Sequence, residues 1–170
     1  KKFVIDNLDN EDVDVKYLKY CKRYIDDLFT PDTDDTLCKT LTDSIYPECL
    51  QVLSTNNNEI SSSFLDLDVK VINEKFEWHL YDKRRSFPFK VVSFPNIKSN
   101  IPQKQSYNLI IGELYRIAKS SSKLDYFLAD SNLFINKLIK QNYKVNKVRK
   151  VINRFINIRP ACINRFWHNF

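Results

Sequence analysis

The chain has 170 residues, 43% of them hydrophobic and 14% aromatic, which is enough apolar mass for a core and excludes a disordered polymer. Its single glycine, Gly112, excludes Gly-rich phosphate loops, dinucleotide fingerprints and nucleophile elbows, and its two histidines, His79 and His168, argue against histidine triads and histidine metal clusters. The net charge of +6 is split between −6 over residues 1–60 and +12 over residues 61–170, a pattern expected of an acidic functional end and a polyanion-binding end, or of a solvated basic face.

Taken in order, residues 1–16 are polar and read as a linker. Residues 17–30 (YLKYCKRYIDDLFT) predict strand, turn, strand, with Asp26-Asp27 supplying the turn. Residues 34–46 predict a helix with Leu37 and Leu41 inward, stopped by Pro47. A strand is expected at 48–54, and another at 64–72, where Leu65, Leu67, Val69 and Val71 alternate with Asp66, Asp68 and Lys70. A turn at 73–75 leads into a strand at 76–82, closing a hairpin. Residues 83–106, punctuated by Pro88, Pro95 and Pro102, are expected to be irregular.

Three helical stretches follow. Residues 106–121 carry Ile110, Leu114 and Ile117 on one stripe. Residues 124–141 put Leu124, Phe127, Leu128, Leu138 and Ile139 inward, with a break at Asp130-Ser131, and residues 145–158 align Val148, Ile152 and Phe155. Strands first and helices second define an α+β class. No run approaches 18 apolar residues, so no membrane partner is expected. Cys21, Cys38, Cys49 and Cys162 show no CxxC pairing and read as free intracellular thiols, with nucleus and cytoplasm undistinguished. The absence of Met and of an N-terminal apolar stretch suggests a processed chain or a fragment without a signal peptide.

Adjacent carboxylates repel, and a divalent cation reverses that by turning both into hard oxygen ligands. On a turn between apolar strands, Asp26 and Asp27 suit the metal clamp of a phosphoryl transfer, and the plainer alternative is a surface turn. Arg23-Tyr24-Ile25-Asp26-Asp27-Leu28-Phe29 resembles the Tyr-x-Asp-Asp hairpin of reverse transcriptases, most closely that of Penelope-like retroelement polymerases. Residues 64–72 resemble the family's strand at the primer grip, 80–85 its Tyr-x-Lys segment, and 93–102 its loop before the thumb. Residues 113–117 and 137–143 resemble thumb helices, so the likeness spans about residues 17–150.

The resemblance implies β-hairpins of a partial polymerase palm over 17–92, a basic helical thumb over 93–159 and an aromatic tail over 160–170. It makes Asp26 and Asp27 catalytic ligands of Mg²⁺ or Mn²⁺ and puts Tyr24 near the primer end and nucleotide, or, on the plainer view, in strand packing. The implied partners are an RNA template, a DNA primer or their hybrid, and deoxynucleoside triphosphates. The family's third carboxylate, its fingers and its template helix lie upstream, and only 25 residues precede Asp26. The expectation is therefore a piece of an RNA-directed DNA polymerase, inactive alone and missing an upstream fingers and palm segment; its basic half, residues 98–170, holds 14 bases and 3 acids. The family's proton donor after the hairpin also has no match, since Lys39 is the one base in 28–62.

Candidate phosphate contacts are Lys83, Arg84, Arg85, Arg116, Lys137, Lys140, Lys144, Lys147, Arg149 and Lys150. Asp66 and Asp68 read as the wet face of a strand, with a second metal site as the alternative. A decayed or repurposed nucleic-acid-binding module with idle acids is the competing function, and an interaction protein working through Phe166, Trp167 and Phe170 is a third.

Overall fold

The computed structural model describes residues 20–31, 33, 35–55, 60–89 and 91–167. The 1–16 segment, His168 and Phe170 lie outside them. The chain divides into two compact units, residues 1–55 and 56–170, and its class is α+β.

In the first unit, β1 (Lys22–Tyr24) pairs antiparallel with β2 (Asp27–Phe29), and α1 (Asp35–Ile45) follows. The register Tyr24↔Asp27 leaves Ile25 and Asp26 as the two loop residues. The turn therefore sits one residue earlier than expected, and Asp27 opens β2. Ile25 takes a φ of 53° while Asp26 keeps a negative one, the sign pattern of a type II′ hairpin turn. Glycine normally fills that position, and a β-branched residue there is strained. On α1, Leu41 is buried and Leu37 half-buried, as the spacing predicts. The strand expected at 48–54 does not form: those residues are irregular, with Leu50, Val52 and Leu53 exposed. Strand-forming side chains without a ladder partner among the described residues gain nothing from extending.

In the second unit, β3 (Ser61–Phe64), β4 (Leu67–Ile72) and β5 (Lys75–Leu80) form one antiparallel sheet in that order. The strand expected at 64–72 is thus interrupted. Leu65 and Asp66 make a two-residue turn, Leu65 with φ 55°, and the sequence before it becomes a strand of its own. Asn73 and Glu74 both take positive φ, the type I′ turn. Leu67, Val69 and Val71 share one face with Phe76, Trp78 and Leu80, and Leu80 enters the core. Mid-strand on β5, Trp78 accepts from the Ser122 backbone N–H at 2.8 Å and donates to Ser122 Oγ at 3.0 Å, so a loop closes that border of the sheet.

A short 3₁₀ turn, Lys83–Ser86, is capped by Asp82, whose carboxylate accepts from the Arg84 backbone N–H. Three long helices then build the core: α2 (Gln103–Lys119), α3 (Leu124–Lys140) and α4 (Val145–Ile158). Ile110, Leu114 and Ile117 on α2 are fully buried, and they pack with Val148 and Phe155 of α4. On α3 the inward face is Phe127, Asp130, Ser131, Phe134 and Leu138. Leu128 and Ile139, expected inward, are exposed instead, because the helix phase set by Phe134 turns them out. Asp130-Ser131 does not break α3, since Arg85 satisfies the Asp130 carboxylate.

The end of α3 forms a Schellman cap. Asn142 N–H donates to Ile139 O, Tyr143 N–H donates to Leu138 O, and Asn142 has a φ of 69°. Asparagine takes the left-handed position that glycine usually fills, and Tyr143 and Leu138 bury together. The aromatic tail is partly helical: α5 (Pro160–Asn164) starts on a proline, Phe166 stacks on Phe127 in the core, and Trp167 is exposed. Arg165 donates to the carbonyls of Ala118 and Ser121, which closes the C-terminal end of α2.

Candidate functional site

The first candidate centre is the β1–β2 hairpin. Asp26 lies in its loop and Asp27 at the start of β2, and both are exposed. Tyr24, opposite Asp27 in register, is 55% exposed. Arg23 Nε donates to Ile25 O at 2.9 Å and its guanidinium lies over the Tyr46 ring, so the strained loop is braced from its own strand. Two adjacent exposed carboxylates, one in the loop and one opening β2, are hard oxygen donors of the kind that suits Mg²⁺ with water completing its shell. Among the described residues no group of three or more His, Cys, Asp or Glu side chains comes together to hold a metal.

Asp66 and Asp68 are separated by the strand start. Asp66, in the turn, accepts from Arg116 Nη1 at 3.2 Å, whereas Asp68 on β4 lies 3.1 Å from His79 Nε2 and 3.6 Å from Lys70 Nζ. Each carboxylate thus has its own cationic or imidazole partner, which removes the basis for a shared metal site.

The basic residues of the second unit fall into two groups. Arg84, Arg85, Arg116 and Lys137 are ion-paired within the fold. Arg116 makes a bidentate pair with Glu113 besides its bond to Asp66, and Glu113 holds the guanidinium pKa above its ordinary value. Arg84 Nε donates to Asp82 Oδ1 at 2.6 Å, Lys137 Nζ lies 3.5 Å from Asp82 Oδ2, and Arg85 Nη2 donates to Asp130 Oδ1 at 2.8 Å. Burial alone would raise the Asp82 pKa, but the bonds and charge of Arg84, with Lys137, outweigh it and hold the carboxyl below its ordinary range. A cleft of about 590 Å³ brings Lys83, Arg84 and Arg116 together with Asp66, Asp82 and Glu113.

Lys83, Lys140, Lys144, Lys147, Arg149 and Lys150 form the second group. All are exposed and none is ion-paired among the described residues. Lys144 to Lys150 start α4, whose opposite side buries Val148 and Phe155. Lys147 reaches Gln103 and lies over the Tyr107 ring. No acid occurs after Asp130 in the sequence, while nine bases do, so nothing on α4 or α5 neutralises this face.

Elsewhere, Glu77 is held below its ordinary pKa by bonds from Lys123 and then Tyr126, which ties β5 to the start of α3. Cys21, Cys38, Cys49 and Cys162 are free thiols, and no helix of the described residues is long and apolar enough to cross a membrane. Asp82 and Asp130, the carboxylates that order the basic cluster, are not among the expected site residues, and Asp130 is expected only as a helix break. Asp82 immediately precedes Lys83-Arg84-Arg85, a capping position that signals its role, whereas Asp130 is brought in only by the tertiary fold. No family model, no curated protein and no solved structure matches the chain.

Proposed function

We propose that the chain is the palm end and thumb of a retroelement RNA-directed DNA polymerase, with Asp26 and Asp27 holding Mg²⁺ and the basic helical unit binding an RNA–DNA hybrid. The observation that carries this reading is the paired carboxylates on an exposed, braced two-strand hairpin, flanked by Tyr24. When bound, the metal supplies charge neutralisation for a triphosphate and activation of a primer hydroxyl. The chain's own part is to present two hard oxygen donors at the β1–β2 turn and to bind phosphates through Lys140, Lys144, Lys147, Arg149 and Lys150.

Titration with Mn²⁺, followed by paramagnetic broadening of resonances near the loop, tests the metal half. Binding on the order of millimolar is expected, displaced by Mg²⁺ and lost in Asp26→Asn/Asp27→Asn. No Mn²⁺ effect at the loop defeats this assignment. With Mg²⁺ present, the 170-residue polypeptide is expected to extend no primer, since the resemblance assigns the third carboxylate to an upstream strand.

The exposed basic face of α4 also favours a second reading, a non-catalytic nucleic-acid-binding module, because it needs no carboxylates to work. Hybrid binding unchanged by Asp26→Asn, together with no Mn²⁺ effect at the loop, selects that alternative.

A further inference from the structure

The turn after β5 combines two features that neither the hairpin nor α4 uses. The first is a layered charge cluster. The side chains of Asp82 and Asp130 are 7% and 6% exposed, while those of Arg84, Arg85 and Lys137 are 37%, 38% and 44% exposed. The acids lie beneath and the cations face solvent. Lys83, exposed and without an ion pair among the described residues, lies between Asp82 and Arg84 in the chain and adds a further cation to the turn. The buried carboxylates fix the guanidinium groups in place, so little side-chain entropy remains to be lost when they meet an anion.

The second feature follows directly in the chain. Phe87 and Phe89 are 40% and 63% exposed, with ring centroids 5.2 Å apart and planes within 16° of parallel. Stacked rings held in water present an open aromatic face beside ordered positive charge. That pairing fits a flat aromatic group linked to phosphate, which is an unpaired nucleotide. Inside a duplex the base faces are covered by their neighbours, so paired nucleic acid uses the charges but not the rings.

We propose that residues Lys83–Phe89 form a stacking shelf for an unpaired base of single-stranded nucleic acid, with Lys83 and Arg84 contacting its phosphates. This rests on the reading of the chain as a nucleic-acid-binding protein and adds a site for the strand that is not in duplex.

Fluorescence anisotropy of the 170-residue chain with a labelled oligouridylate and, separately, a blunt RNA–DNA hybrid tests it. Phe89→Ala is expected to weaken oligouridylate binding roughly 5- to 100-fold and to leave hybrid binding within about twofold. Phe89→Trp is expected to retain single-strand affinity, which separates loss of stacking from loss of fold. Lys83→Ala is expected to lower the single-strand salt slope by about one. Unchanged oligouridylate affinity in Phe89→Ala and Phe87→Ala, or equal loss on both ligands, overturns the shelf. Binding to vesicles of anionic phospholipid that falls with Phe89→Ala while oligouridylate does not bind overturns it in favour of a lipid surface. If the hybrid binds and Phe89→Ala is silent, the shelf alone fails. If neither nucleic acid binds at low salt, the nucleic-acid reading fails with it.

Discussion

Arg85 Nη2 stands 2.8 Å from Asp130 Oδ1, joining side chains 45 positions apart and fastening the turn after β5 to the middle of α3. The two partners are unequally buried, so removing one is not equivalent to removing the other. Arg85→Ala leaves a carboxylate without its counter-charge in a nearly dry position and is expected to lower stability by about 2–3 kcal/mol. Asp130→Ala leaves a guanidinium that water reaches, and about 1–2 kcal/mol is expected. Urea unfolding midpoints rank the two, and the reverse order contradicts the burial argument.

Asp82 gives an acid limb to stability. Its folded pKa is depressed, so its contribution is fully present above the unfolded-state value and is lost as pH falls through the folded one. Stability measured by urea unfolding is therefore expected to fall from about pH 4 downward, with a shallower fall in Asp82→Asn. Glu77, also depressed, adds to the same limb, so Asp82→Asn flattens it without abolishing it.

Ile25 holds a left-handed backbone conformation in the loop that carries Asp26. Ile25→Gly removes the steric penalty, and about 0.5–1.5 kcal/mol of hairpin stabilisation is expected after the added chain entropy is counted. Amide hydrogen exchange of β1 and β2 reads it directly: faster exchange in the variant contradicts a strained turn.

The face of α4 is expected to bind phosphate without regard to base sequence. Neutralising Lys147, Arg149 and Lys150 to Gln is expected to reduce the slope of log affinity against log salt by about one for each side chain in phosphate contact. These three side chains are exposed, so circular dichroism of the variant is expected to match the parent chain. An unchanged slope removes α4 from the interface.

Elements with strong local periodicity are legible in the sequence. The prediction for 145–158 matches α4 at both ends, and Ile110, Leu114 and Ile117 are buried as their spacing requires. The hairpin at Ile25-Asp26 was legible from its flanking apolar strands, though its turn lies one residue earlier than the acids suggested. The turn at Leu65-Asp66 was not legible, because a leucine in a left-handed conformation carries no turn signature and continues the alternation of the strand beyond it. Residues 48–54 have strand composition but no ladder partner among the described residues, and pairing is not a local property of the sequence. The ordering of Arg84 and Arg85 depends on Asp130, which is distant in sequence, so a basic cluster read from the chain appears as bare charge when it is anchored from below.

The loop lying along β5 has a consequence for solution behaviour. With the outward amide and carbonyl of Trp78 already engaged by Ser122, a foreign extended segment finds no continuous row of vacant partners on that flank. Intermolecular ladder growth from this side is blocked, and the strand-rich part of the unit stays protected from fibril formation there for as long as the α2–α3 connection remains folded.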